Sequence, residues 1–255
     1  MITIKLGSSA PEVVYLQALL GLNIDGVFGK GTEDAVKEFQ KSHGLGDDGI
    51  VGLGTWKKLE EIHPRTKITE KDFEDAAKLL GCDVAAVKAI KEVESGKAPF
   101  LSSGFPTMLF EAHIFYKQLG NSVGQYIGSH KNIISKSWDK SLYKGGENEV
   151  LRLREAWNIS PKGAAMSASY GAFQICGFNY SMCGYKSALE YLGKVWLGEK
   201  EQLEAFVRFI KASGIAPHLK NHNWAEVAKK YNGAGYKANS YDTRLAKAWA
   251  KYKNA

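Results

Sequence analysis

A short loop written twice constrains this chain most. Asp25-Gly26-Val27-Phe28-Gly29-Lys30-Gly31-Thr32 returns 23 residues later as Asp48-Gly49-Ile50-Val51-Gly52-Leu53-Gly54-Thr55, as expected of a structural unit used in duplicate. Asp-Gly tolerates left-handed dihedrals, and the two later glycines tighten the turn. Each Thr stands where a side-chain oxygen can cap a helix, so each copy reads as loop followed by helix. Apolar residues at helical spacing follow both loops, Ala35, Val36 and Phe39 in the first copy and Trp56 and Leu59 in the second. An earlier amphipathic helix carries Val13, Leu16, Gln17, Leu19 and Leu20 and is opened by Ser8-Ser9-Ala10-Pro11, with proline where a first helical turn accepts it. The opening sixty or so residues therefore predict a three-helix module.

The run Leu16 to Leu20, the two Asp-Gly loops and Val36-Lys37-Glu38-Phe39-Gln40 between them resemble the peptidoglycan-binding module found beside many wall hydrolases. The resemblance covers nearly all of residues 7–62. It implies bacterial peptidoglycan as a partner, with the loop glycines and threonines acting as scaffold. Pro64 ends the third helix at or before His63, so residues 63–68 read as a linker between a module at 1–64 and a larger domain at 69–255. A short tether raises the effective concentration of substrate at the second domain once the first has bound.

Charge divides at the same place. Residues 1–64 hold six lysines against nine acids, net −3, so the remainder carries +10 within the total of +7. A cationic second part favours an anionic polymer, whether nucleic acid, lipid surface or wall material. No basic motif of nucleic-acid-binding type accompanies the charge, and nucleic acid is set aside. Three cysteines, Cys82, Cys176 and Cys183, cannot all pair within one chain and fit a reducing compartment. No leader-like opening and no membrane-length apolar run is present, so residence in the cytoplasm is expected.

From Thr69 onward the apolar spacing is overwhelmingly helical. Asp83 caps an expected helix through Val84, Val87, Ile90 and Val93 that ends near Gly96. On a helical wheel Glu94 lies about 20° from Val87 and about 40° from Ile90, inside the apolar arc, whereas Glu92 lies roughly 140° from Val87. Glu92 reads as a solvated surface acid beside Lys88 and Lys91. Glu94 loses hydration, and burial raises a carboxyl pKa, which keeps a proton available for donation near neutral pH.

Glu94-Ser95, Ser169-Tyr170-Gly171-Ala172-Phe173-Gln174-Ile175 and Tyr231-Asn232-Gly233 follow the order of signatures in lysozyme-like glycan-cleaving enzymes. Residues from about 72 to 252, including Leu109-Phe110-Glu111-Ala112-His113 and Phe173-Gln174-Ile175-Cys176-Gly177-Phe178-Asn179-Tyr180, resemble the N-acetylmuramidase domain of phage endolysins. The fold class implied is all-α, α+β and lysozyme-like at most, with the small three-helix module ahead of a larger helical domain. The resemblance makes Glu94 the general acid at the bond between N-acetylmuramic acid and N-acetylglucosamine. Gln174, Tyr231 and Asn232 would line the sugar cleft, and Ser95 or Ser169 would hydrogen-bond the acid or the substrate. Tyr231 also falls on an apolar face with Trp224, Val227 and Ala228, which core packing explains equally well.

Glycosidases that retain or invert use two acids across the bond. Glu111 is the second candidate by motif, with orientation of His113 as its structural alternative. Without a second acid, the neighbouring sugar's own hydroxyl would complete the reaction and leave the 1,6-anhydro end of a lytic transglycosylase. A non-catalytic wall-binding protein is the remaining alternative. His218 and His222 lack a third ligand and a base, and no metal or organic cofactor is expected. The tail Arg244 to Lys253 reads as a basic amphipathic helix that packs Leu245 and Trp249 inward and leaves a face for anionic outer-membrane lipid. The expected particle is a monomer, held in the host cytoplasm until a separate pore releases it to the wall, where it lyses the cell.

Overall fold

The computed structural model describes residues 1–95 and 98–254. The N-terminal module is Pro11–Leu19 (α1), Lys30–Ser42 (α2) and Leu53–Ile62 (α3). Both Asp-Gly loops turn as their sequence requires, with Gly26 and Gly49 at φ 74° and 73°. What closes each loop comes from eight residues upstream of its Asp. Gln17, buried on α1, accepts the N–H groups of Asp25 and Gly26 and donates to the Val27 carbonyl. Gln40 on α2 repeats the pattern, accepting from Gly49 and donating to Asp48 and the Ile50 carbonyl. The duplicated unit thus reaches back to two glutamines that themselves stand 23 residues apart.

The two threonines are not caps. Gly29 and Gly52 hold the N-cap positions, and Thr32 and Thr55 lie buried in the first helical turn. Their hydroxyls take hydrogen bonds from the same glutamines, which draws them under the loop instead of over the helix end. α1 also departs from its amphipathic reading, because all nine of its residues are buried.

The larger domain continues with Glu70–Leu80 (α4), Val84–Ser95 (α5), the strand Met108–Phe110 (β1), Ala112–Leu119 (α6), Glu147–Ile159 (α7) and Pro161–Met166 (α8). Two further strands follow, Ala168–Tyr170 (β2) and Ile175–Cys176 (β3), then Ala188–Val195 (α9), Glu199–Ala212 (α10), Ala216–Lys220 (α11), Trp224–Asn232 (α12) and Tyr241–Lys253 (α13). The fold is therefore mostly helical with one small antiparallel sheet, ordered β1-β2-β3, in which Met108 faces Tyr170 and Ser169 faces Cys176. Thr69 and Asp72 form a reciprocal capping box at the start of α4, and Asp83 caps α5 through the Ala86 N–H at 2.7 Å. α13 lies along α5 and buries Leu245 and Ala248. Trp249 packs at a tilt on the His222 ring and donates to Asp83. Among the described residues no helix is long and apolar enough to cross a membrane.

The two parts share one core. The Tyr15 ring lies between Trp56, at 6.0 Å, and Trp196 of the larger domain, at 4.8 Å with planes within 11°. Glu12, fully buried on α1, pairs with Arg154 of α7. The linker is itself fastened: Thr66 donates to Glu201 at 2.6 Å, and its carbonyl accepts the Glu199 N–H at 2.9 Å. This explains α1, since a helix apolar on all sides needs cover on all sides, and the second domain supplies it through α9.

Candidate active site

Glu94 sits in the last turn of α5, partly buried, with Val93 and Ile90 of the same helix in the core. Asn232, at the end of α12, donates its amide to Glu94 Oε1 at 2.9 Å. Burial raises the Glu94 carboxyl from 4.5 to about 7, against the opposing pull of the Asn232 hydrogen bond and the Arg244 charge. A carboxyl poised there is protonated in a substantial share of molecules at neutral pH, as a general acid requires. Glu92 behaves differently. It is held by Lys251 and Tyr252 of α13, each at 2.6 Å, so it is a surface acid with partners on the last helix.

Glu94 faces a cleft of about 290 Å³ whose walls are Phe100, Leu101 and Thr107 on one side, Met108 and Leu109 of β1, Gly145 and Gly146, and Gln174. Gln174 is at φ 47° and is tied on three sides. Its amide donates to the carbonyls of Thr107, at 3.0 Å, and Gly171, at 2.8 Å, and its Oε1 accepts from Ser169 at 3.0 Å. Those bonds join the loop after β2 to the segment before β1, so Gln174 is both a wall of the cleft and its fastening. Gly171 serves packing: at φ 71°, a Cβ there would lie 2.4 Å from the Gln202 amide, which itself accepts the Ala172 N–H.

Tyr231 packs edge-on against Phe209 at 5.5 Å and donates its hydroxyl to the Phe173 carbonyl at 2.6 Å. It holds the same loop from beneath and is not among the cleft-lining residues. Glu111 follows β1 directly. Its Oε2 accepts from Tyr143 at 2.6 Å and lies 3.3 Å from His113 Nδ1. Among the described residues Glu94 is the one carboxylate that lines the cleft. The side chain of Ser95 lies outside the described residues.

Two positioning groups escape a reading by motif. Glu149 and Arg152 of α7 are buried and paired at 2.7 Å. Glu149 accepts the N–H groups of Phe110, Lys144 and Gly145, and Arg152 donates to the carbonyls of Phe110 and Asn132. The pair fixes the end of β1 and the Gly145 rim together. The available signal was that Glu149 sits about 40° from Leu153 on a helical wheel, inside an apolar arc. His218 and His222 bring no metal cluster with them among the described residues. His222 bonds Asp83 at 2.6 Å.

The arrangement is one protonatable carboxyl in a largely apolar cleft, a carboxamide bonded to it and a braced strand, β1, forming part of the wall. That is equipment for protonating a leaving oxygen. Comparison with known proteins bears on the chain as a whole. Residues 83–253 match the family described as N-acetylmuramidase, and residues 13–59 match that described as putative peptidoglycan binding domain. A solved structure, the Burkholderia AP3 phage endolysin, is 38% identical and matches over 100% of both chains with a TM-score of 0.67. No curated protein matches the chain.

Proposed function

The chain belongs to the N-acetylmuramidase family, and from that premise we propose that it cuts the glycan strand of peptidoglycan with Glu94 as the general acid. It is a wall-degrading endolysin, a glycoside hydrolase that carries a peptidoglycan-binding module ahead of its catalytic domain. In our reading the module spans 1–64 and the catalytic domain 69–255, and the protein acts as a monomer that lyses its host from within once a separate pore admits it to the wall.

Glu94 donates its proton to the oxygen joining N-acetylmuramic acid to N-acetylglucosamine. The C1–O bond breaks, the leaving sugar departs as a free alcohol, and positive charge develops at the muramic C1. Water adds to C1 and surrenders a proton. Asn232 holds the acid's orientation, while Gln174 and Ser169 keep the wall of the cleft in place. Glu111 is the second carboxylate of this reading, taking the proton of the incoming water. The observation that carries the proposal is the partly buried Glu94 in the cleft, with its carboxyl lifted to about 7.

A second product has an observation in its favour. With Glu94 as the lone carboxylate among the described cleft-lining residues, the muramic 6-hydroxyl can take the place of water and close a 1,6-anhydro ring. Mass spectrometry of fragments released from purified peptidoglycan by wild type, Glu94→Gln and Glu111→Gln decides these points. Reducing muramic ends that vanish with Glu94→Gln support the hydrolase and its acid. Anhydro ends support the second product, and undiminished activity of Glu94→Gln refutes the assignment. Loss with Glu94→Gln but not with Glu111→Gln removes Glu111 from the chemistry.

A further inference from the structure

One wall of the cleft is held from outside the catalytic domain. The segment from Ala98 to Thr107 supplies Phe100, Leu101 and Thr107 to the cleft beside Glu94. It is a tight loop closed by the Leu101 N–H on the Phe105 carbonyl at 2.8 Å and the Gly104 N–H on the Leu101 carbonyl at 2.9 Å. Its outer side rests on Arg65 of the linker, which reaches on to the wall-binding module. The Arg65 guanidinium lies over the Phe100 ring at 5.2 Å and over the Tyr15 ring of α1 at 5.4 Å. Arg65 is kept there by Glu60 at the end of α3, at 2.8 Å.

Gly104 is shaped to receive it. At φ 83°, a Cβ on that residue would stand 2.8 Å from the guanidinium, so the loop's backbone and the linker cation are in direct contact. Trp196 completes the clamp. It donates to the Gly104 carbonyl at 2.7 Å, packs on Phe105 at 3.8 Å and stacks on Tyr15.

We infer that Arg65 is a positioning residue for catalysis, through which the wall-binding module holds the Phe100–Leu101 wall of the active-site cleft. The module is then part of the catalytic machinery in addition to being an anchor. An anchor acts by raising local substrate concentration and matters only for a polymer long enough to meet both sites. A brace acts on every substrate, because a cleft wall displaced by a fraction of an ångström misorients the sugar against the acid. The inference rests on the reading of Glu94 and its cleft as the catalytic site.

The test uses the full-length protein with Arg65→Met, which keeps the stem and removes the planar cation, and Arg65→Lys, which restores a cation over both rings. Each is assayed on a soluble muropeptide-derived glycan too short to reach the module, with thermal unfolding measured alongside and Glu94→Gln as the control for the cleft itself. The expected result is a roughly five- to tenfold lower kcat/KM for Arg65→Met on the short glycan, recovered in part by Arg65→Lys, with both variants folded at the assay temperature. Unchanged kinetics on the short glycan with reduced activity only on intact wall would overturn the inference and leave the module an anchor. Equal loss in Met and Lys variants that tracks a fall in Tm would also overturn it, by reducing Arg65 to a stabilising contact. Retained activity of Glu94→Gln on the same glycan would instead refute the site assignment beneath it.

Discussion

Replacing Glu94 with glutamine should separate what the residue does for catalysis from what it costs the fold. Burial lifts its carboxyl from 4.5 to about 7, a difference of about 2.5 pH units, or about 3 kcal/mol at ~1.36 kcal/mol per unit. The folded state holds the proton across that window while the unfolded chain has already lost it. Stability therefore falls as pH rises from 4.5 towards 7, and the whole cost of burying the carboxylate is in place above 7. Glutamine keeps the shape, still offers Oε1 to the Asn232 amide and carries no charge to desolvate. The variant should match wild type near pH 4 and exceed it by up to about 3 kcal/mol at pH 8, on the order of 6–12 °C in Tm for a chain of this size. Its kcat should fall by roughly 10²- to 10⁴-fold, and wild-type activity should decline on the alkaline side of pH 7 as the acid loses its proton. Thermal unfolding of both proteins from pH 4 to 8.5 gives the difference directly, because every other titrating group cancels. A gap between the two that stays flat across the window would refute the reasoning, since it would mean the carboxyl titrates at its ordinary value.

Three further outcomes follow from the bracing. Gln174→Met removes the bonds to Thr107, Gly171 and Ser169 and strands two carbonyls, so it should cost about 2–4 kcal/mol in a urea titration. Gln40→Met unties the second Asp-Gly loop, leaves the Gly49 N–H without its acceptor and should cost a similar ~2–4 kcal/mol, with weaker sedimentation on purified wall. Glu149→Gln leaves Arg152 buried beside a neutral partner and should destabilise by about 3–5 kcal/mol, read as a lower urea midpoint with an unchanged m-value.

The parts of this molecule legible in the sequence are those whose physics is local. The left-handed glycines at 26 and 49 follow from turn chemistry, and the inward placement of Glu94 follows from a helical period that needs only Val87 and Ile90 to define it. The threonines were misread as caps because their real partners, Gln17 and Gln40, lie 15 residues earlier, beyond any capping pattern. Asn232 meets Glu94 across 138 residues, and nothing in the spacing of either segment brings them together; only family resemblance put them in one site. Glu149 and Arg152 look like an ordinary surface pair three residues apart. The period of α7 turns Glu149 towards Leu153, but what the pair holds there, β1 and the rim at Gly145, lies in other segments of the chain.

The seam between the two domains runs along α1, which the spacing of Val13, Leu16, Leu19 and Leu20 presents as an amphipathic helix of the module alone. Its nine residues, Pro-Glu-Val-Val-Tyr-Leu-Gln-Ala-Leu, place apolar side chains right around the helix. Two companion helices in a sixty-residue module can cover only part of such a cylinder, and an uncovered face of this kind predicts another partner. α9, Trp196, Arg154 and the linker's Arg65 are that partner, which turns a tether into a joint. With the module docked rather than swinging, its hold on the wall favours cleavage only where a glycosidic bond falls at the one fixed spacing from the anchored stretch. Lengthening the linker by a few flexible residues should therefore lower activity on intact wall instead of widening its reach, with the release of soluble fragments as the measure. Equal or faster release would show that the joint is dispensable.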